Sequence, residues 1–310
     1  MKTEHFSLTS RQDGLPLDVL LTLPDDPGTL SGIVQISHGM CEHKERYLPF
    51  MEFLAARGYG AVIHDHRGHG QQALESGTLG FFGDEDGEAI VEDLYQVTCG
   101  IRARFKDVPV TLLGHSMGSL VARKYLKTHD DQISALILSG APWNNPGAQA
   151  GLVLARAMAK VRGGRHRSRV IHELADGAFG RRFGGNAWLS ANEENVQAFN
   201  SHPLDGFHFT LNGYMNLFSL VQDVYSRKGW QMKHRDLPVF FIAGEDDPVI
   251  GSREKWIAEQ DFLRVLGYRD VRGTLYPGMR HEILLEKEAR VVMNDILTFL
   301  VTSRDPETDV

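Results

Sequence analysis

The sequence predicts an α/β fold, a mostly parallel sheet with helices on both faces and an inserted helical cap. Two observations carry this. Short apolar runs alternate with segments of helical periodicity along the first 142 residues and again from residue 233, the rhythm of parallel strands joined by crossover helices. Between them, residues 143–232 hold several helical patches and no β–α alternation. The expected organisation is a first core part at 1–142, a helical cap at 143–232 and a second core part at 233–310.

The elements follow in order. Phe6–Ser10 and Leu17–Leu23 read as strands around an Asp13-Gly14 turn, a hairpin signal. After Pro24–Ser31, Gly32–Ser37 is a buried strand, and Lys44–Arg57 is a helix stopped by Gly58. Ala61–Asp65 is the next strand, followed by a glycine-rich loop to about Gly87. Ile90, Val91, Leu94, Val97 and Ile101 give Glu88–Phe105 a helical stripe. Val110–Leu113 is a strand, Ser119–Thr128 helical, and Ile133–Leu138 a strand. The rhythm breaks at Ala141-Pro142 and resumes with strand Val239–Ala243, helix Glu254–Leu266, strand Val271–Tyr276 and helix Leu284–Leu300. The charged tail Arg304–Val310 reads as frayed, and the sequence has no internal repeat.

Composition narrows the function classes. A formal charge of −7 argues against general nucleic-acid binding. No apolar stretch approaches the roughly 20 residues of a spanning helix, and Met1–Phe6 lacks a signal-like apolar region. Two cysteines, Cys41 and Cys99, give neither a disulfide framework nor metal-ligand spacing. The expected compartment is a reducing cytoplasm.

Chemistry concentrates at Gly114-His115-Ser116-Met117-Gly118. This G-x-S-x-G lies between an apolar run and a helical stretch, the strand–turn–helix context in which a serine projects above a sheet edge. A helix starting there lends backbone N–H groups to a developing negative charge. With Ser116 as nucleophile, an acid and then a histidine should follow in the chain. Of fourteen histidines, His281 alone lies beyond the strand at Val239, in a turn-rich loop before a helix, where a general base should hang. The strand Val239–Ala243 runs into Gly244-Glu245-Asp246-Asp247-Pro248. Spacing does not choose among these carboxylates; Asp247 is favoured and Asp246 second. Met117 N–H, directly after the nucleophile, and Met40 N–H, in the turn Ser37-His38-Gly39-Met40, are the candidate oxyanion donors. His64, Asp65, His66 and His69 could suggest a metal, but strand-end residues alternate in direction; the expectation is a structural role, with Asp65 and Arg67 bracing the loop. No metal and no cofactor are expected.

His38-Gly39-Met40, Glu42-His43, Arg46-Tyr47, Asp65-His-Arg-Gly-His-Gly70, the serine pentapeptide, Gly244–Val249 and Tyr276–Glu282 together span nearly the whole chain. In this order they resemble the monoacylglycerol lipase/lysophospholipase branch of the α/β-hydrolase superfamily, also catalogued as serine aminopeptidase-like hydrolases. The resemblance implies the α/β-hydrolase fold and cofactor-free hydrolysis of a monoacyl lipid-like ester. It places the acid directly before the loop proline, which supports Asp247. The chain departs at Cys41, where a small residue, often glycine, is expected.

The cap segment holds eleven of the 28 aromatic residues, a modest enrichment that a small subdomain's own core would mostly absorb; Phe179, Phe209 and Met215 are named as channel candidates. It carries 10 Lys+Arg against 6 Asp+Glu, the rest of the chain 23 against 34. The basic run Arg162–Arg169 reads as a solvated loop, with peripheral contact to an anionic lipid surface as the sharper alternative. The expected partner is a small acyl ester, and oligomeric state is left open. Rival readings are a short-chain carboxylesterase, an aminopeptidase-like amide hydrolase and a non-catalytic binding protein on the same fold.

Overall fold

The computed structural model describes residues 1–303 apart from positions 27, 29, 84, 85 and 176. The Arg304–Val310 tail, expected to fray, lies outside the described residues.

Eight strands form one sheet: β1 (Lys2–Thr9), β2 (Pro16–Leu23), β3 (Gly32–Ser37), β4 (Tyr59–His64), β5 (Val110–His115), β6 (Ala135–Ser139), β7 (Val239–Gly244) and β8 (Val271–Tyr276). Their spatial order is β1-β2-β4-β3-β5-β6-β7-β8. The first two joins are antiparallel and the remaining five parallel. Strands β3 to β7 are buried along their whole lengths. Covered on both faces, they carry apolar residues without alternation, which is why they read from sequence as continuous runs. The edge strand β1 alternates exposed and half-buried residues.

Helices α1 (Leu48–Ala55) and α11 (Ala289–Thr302) cover one face through Phe50, Leu54, Val292, Ile296 and Phe299. The other face is covered by α3 (Glu88–Arg104), α4 (Met117–His129) and α10 (Arg253–Leu266). Among the described residues, five α-helices and a 3₁₀ turn (Gly185–Trp188) lie between β6 and β7: α5 (Gly147–Arg162), α6 (Arg169–Ala175), α7 (Gly177–Phe183), α8 (Glu193–Ser201) and α9 (Leu211–Val224). Their apolar residues do not form the separate core expected of them. Leu152, Ile171, Tyr214 and Phe218 join the same continuous cluster as Leu94 and Leu120. Side-chain amides stitch α9 to the loop before α3: Asn212 Oδ1 accepts from Phe82 N–H at 2.8 Å, and Asn216 Oδ1 from Gly87 N–H at 2.8 Å.

Two expected helices are interrupted by tertiary bonds. Lys44–Tyr47 is a 3₁₀ turn before α1, because Lys44 is pulled into the core, its Nζ 2.6 Å from Asp65 and 2.8 Å from Asp18. Glu286 is extended; its carboxylate takes the N–H groups of Ala191, Asn192 and Arg280 at 2.8–3.0 Å, three bonds that a helix through this residue would forfeit. The glycine-rich loop after β4 contains a short helix, α2 (Gly70–Glu75), that periodicity did not reveal.

Candidate active site

Ser116 sits between β5 and α4 with φ +51° and ψ −119°, a backbone conformation that costs a non-glycine residue about 1–3 kcal/mol. The glycines on either side make the turn. A Cβ on Gly114 would come within 2.5 Å of the Gly118 carbonyl oxygen, and one on Gly118 would overlap the carbonyls of Ser37 and His38. The elbow is pinned from below by Ser116 N–H donating to Ser139 O at 2.9 Å.

Asp247 caps the turn Pro248–Ile250, its Oδ1 accepting from Val249 N–H at 2.8 Å. Its Oδ2 stands 2.9 Å from His281 Nδ1, both side chains being almost wholly buried. Glu245 and Asp246, the competing carboxylates, are exposed; their N–H groups donate to Tyr276 O and Met279 O, tying this loop to the histidine loop. With Nδ1–H given to Asp247, His281 keeps its Nε2 lone pair. Burial pushes the His281 imidazolium towards losing its proton, but Asp247 more than offsets this, and the pKa rises above its ordinary value. The neighbouring His115 ring lies 4.6 Å away; burial pushes it down to about 4, so it stays neutral beside His281.

The candidate oxyanion loop is held by Glu42. Its Oε1 accepts from Gly39 N–H and, at 2.8 Å, from Tyr47 Oη–H. With Gly39 N–H committed, Met40 supplies the next amide of the loop. Met117 opens α4, and its N–H is one of the first-turn amides without an intrahelical acceptor. Arg46 joins this loop to the histidine loop, contacting Glu42 at 3.0 Å and both oxygens of Glu282 at 2.6 and 2.8 Å. Cys41 has φ +56°, the region glycine enters freely, which gives the expected glycine at this position its physical reason. Its buried thiol donates to Phe207 O at 2.7 Å.

Asp65 and Arg67 brace the neighbouring loop. Asp65 accepts from Lys44, while Arg67 Nε meets Asp93 at 2.7 Å and its Nη1 donates to Phe82 O at 2.8 Å. The histidines around them serve the backbone: His38 Nε2 accepts from His66 N–H at 2.9 Å and His69 Nε2 from Cys41 N–H at 3.2 Å.

Two cavities meet at Ser116, and Met40 and Trp188 line both. One, of about 150 Å³, is lined by polar groups including Glu42, Asn186, His172 and His281. The other, of about 300 Å³, runs under the inserted helices between Leu120, Leu154, Leu174, Leu217 and Val221, with no charged side chain among the described residues of its wall. Phe179 lines this apolar cavity; Phe209 and Met215 do not. Those two are fully buried instead, Phe209 packing on Phe82 and Tyr214 at ring distances of 5.1 and 5.6 Å. Aromatic content alone cannot separate a wall from a core. Sequence reasoning also passed over Trp188, whose ring is 5.3 Å from His281, and Gly140, where a Cβ would press to 2.9 Å on His281 and 3.2 Å on Asp247. Glu42 and Arg46 were visible as parts of a shared motif, but their role appears only when Glu282 is brought beside them.

The sheet order, the helices inserted after β6 and the cavities at the C-terminal ends of the parallel strands define an enzyme of the α/β-hydrolase class. Within it, the chain belongs to the serine aminopeptidase S33 family (Hydrolase_4), whose model matches residues 28–288. It is 29% identical over 277 residues to a monoacylglycerol lipase of Mycolicibacterium smegmatis, covering 87% of this chain and 88% of that one. A monoglyceride lipase of Rattus norvegicus is 28% identical over 277 residues, covering 87% and 81%. The crystal structure of a thermostable carboxyl esterase from Bacillus coagulans, in complex with glycerol, superposes with a TM-score of 0.87 at 26% identity, covering 97% of this chain and 98% of that one. The chain is a carboxylic ester hydrolase.

Proposed function

We propose that the protein hydrolyses monoacyl esters, of the monoacylglycerol or lysophospholipid kind, through an acyl-enzyme on Ser116. His281 Nε2 takes the serine proton as Oγ attacks the ester carbonyl, and Asp247 stabilises the imidazolium. The N–H groups of Met40 and Met117 receive the oxyanion. The alcohol leaves with the proton from His281, and water repeats the sequence on the acyl-enzyme.

The observation that carries this reading is the pair of unlike cavities sharing Ser116, a mostly apolar one for an acyl chain and a smaller polar one for the alcohol. An aminoacyl amide would need a free carboxylate for its ammonium group. The carboxylates on the polar cavity, Glu42 and Glu282, are both paired with Arg46, which favours an ester. The relatives' names, monoacylglycerol lipase and monoglyceride lipase, point the same way.

Peripheral contact with a lipid surface belongs to this proposal. Val153, Val161, Val170 and Leu174 on α5 and α6 are 64%, 82%, 58% and 58% exposed, and Leu174 also lines the apolar cavity, so exposed apolar side chains are carried by the same helices that wall it. The basic loop is less free than expected: Arg165 covers the Phe81 ring at 4.1 Å, and Arg167 donates to Leu79 O at 2.7 Å and to His208 O.

Hydrolysis of glycerol monoesters from acetyl to oleoyl tests the reading. The expected result is a medium- or long-chain optimum, moved to shorter chains by Leu217→Trp, which fills the apolar cavity. A sharp acetyl or butyryl optimum unmoved by that substitution would favour a small-ester carboxylesterase instead. Val161→Asp with Val170→Asp should slow turnover of vesicle-borne ester while leaving that of soluble p-nitrophenyl ester unchanged; equal rates on vesicles would remove the lipid-surface contact.

A further inference from the structure

The chain passes from β6 into the inserted helices through residues 141–145, which have no regular secondary structure. Their backbone groups must therefore find partners elsewhere. At Pro142 the carbonyl is the one backbone group that can hydrogen-bond, because proline has no N–H. It accepts from Tyr225 Oη–H at 2.6 Å, and Tyr225 directly follows α9, the last inserted helix. The hydroxyl thus joins the two ends of the insert. Next in the chain, Trp143 N–H donates to Val249 O at 3.3 Å, and Val249 N–H donates to Asp247 Oδ1 at 2.8 Å. Pro142, Trp143 and Val249 all line the apolar cavity at Ser116, as does Val221 one turn before Tyr225 on α9.

Tyr225 is itself held from behind. Arg123 on α4 is fully buried; its Nη1 donates to Tyr225 Oη at 2.9 Å, and its guanidinium carbon lies 4.3 Å from the centre of the Tyr225 ring. Glu259 Oε2 on α10 stands 3.5 Å from the same nitrogen and supplies the counter-charge. Burial raises the Tyr225 pKa, so the hydroxyl keeps the proton it donates. A hydroxyl that accepts from a cation is polarised into a stronger donor, which favours the bond to Pro142 O.

We propose that Tyr225, oriented by Arg123, is a positioning residue for acyl-chain length: its hydroxyl fixes the Pro142–Trp143 wall of the apolar cavity against the helix that begins beside Ser116. The inference rests on the reading of that cavity as the acyl site. Val249 is gripped separately by Asp247, so loss of the hydroxyl loosens the wall rather than the catalytic pair. A chain long enough to run along the wall must then order it on binding, and that cost enters KM.

Steady-state hydrolysis of butyryl and dodecanoyl glycerol monoesters by the wild type, Tyr225→Phe and Leu217→Trp tests the role. Tyr225→Phe keeps the ring against Arg123 and Phe262 and removes one hydroxyl. The ratio of the two kcat/KM values does not depend on how much of a preparation is folded. The expected result for Tyr225→Phe is a fall of about threefold or more in the dodecanoyl-to-butyryl ratio, carried by KM for the longer ester. A bond that only stabilises the fold would lower the unfolding temperature and leave the ratio where it was. A smaller fall in Tyr225→Phe, with the ratio moved by Leu217→Trp, would overturn the inference and leave the acyl cavity standing. A ratio unmoved by either substitution would overturn both.

Discussion

His281 and His64 are both sealed from solvent, at 2% and 0% exposure, yet their protons are held in opposite ways. His281 has a carboxylate oxygen 2.9 Å from Nδ1, and its pKa rises despite burial. Neither ring nitrogen of His64 has a hydrogen-bond partner among the described residues. Burial pushes it down to about 4 against the weaker pull of Asp93. Its neighbours His38, His66 and His69 are likewise driven down by burial, His38 to about 3. Burial makes a histidine neutral; a hydrogen-bonded carboxylate makes it a base that can hold a proton in mid-reaction. Four neutral histidines fill and brace the ground beneath the oxyanion loop, while His281, with its carboxylate partner, faces the cavity beside Ser116.

The sharpest way to break this contrast is to remove the partner. Asp247→Asn should lower kcat on the order of 10⁴-fold, as in other serine hydrolases whose histidine loses its tautomer control, with thermal unfolding run in parallel to separate chemistry from folding. A fall of less than about tenfold would mean that Asp247 does not orient the base.

A smaller effect appears in the pH profile. In the proposed mechanism His281 must be unprotonated to accept from Ser116, so kcat/KM should fall on the acid side, with a midpoint above the ordinary histidine value of about 6.5. A midpoint below that value would contradict the role given to Asp247.

The smallest effect is expected at His64. His64→Phe should leave kcat/KM within about twofold and reduce acid sensitivity of the fold. The sign follows from the depressed folded pKa. The unfolded histidine binds a proton below about pH 6.5 that the folded one refuses until about pH 4. Its stabilising contribution is therefore complete above pH 6.5 and is lost as the pH falls through that window. His281 runs the other way, its contribution being present below about pH 6.5 and lost as the pH rises through its raised value. The unfolding midpoint of His64→Phe should thus change less between pH 7 and pH 5 than that of the wild type. An equal or larger change would show that His64 is not the neutral, unpaired group described.

The contrast also marks what could be read from the chain alone. The parallel strands were legible because burial on both faces writes itself as unbroken apolar runs, and Ser116 because its glycines are forced by backbone contacts. His281 stood out by position. Asp247 could not be separated from Asp246 by spacing, since the choice depends on which carboxylate is turned inward at the end of β7. The interruptions at Lys44 and Glu286 were hidden because both come from bonds to distant chain. Phe209 and Met215 were misplaced for a related reason: an apolar side chain on a helix has the same sequence signature whether it faces a cavity or a neighbouring helix. The role of Arg46 needed Glu282, 236 residues away.

The central claim is that Ser116 is the nucleophile, activated by His281. Treating the wild type and Ser116→Ala with a fluorophosphonate and mapping the adduct by peptide mass spectrometry tests it directly. The account predicts one stoichiometric adduct on the peptide carrying Ser116, absent from Ser116→Ala, together with loss of ester hydrolysis on the order of 10⁴-fold or more in that variant. An adduct on another serine, or hydrolysis that survives Ser116→Ala, would contradict it.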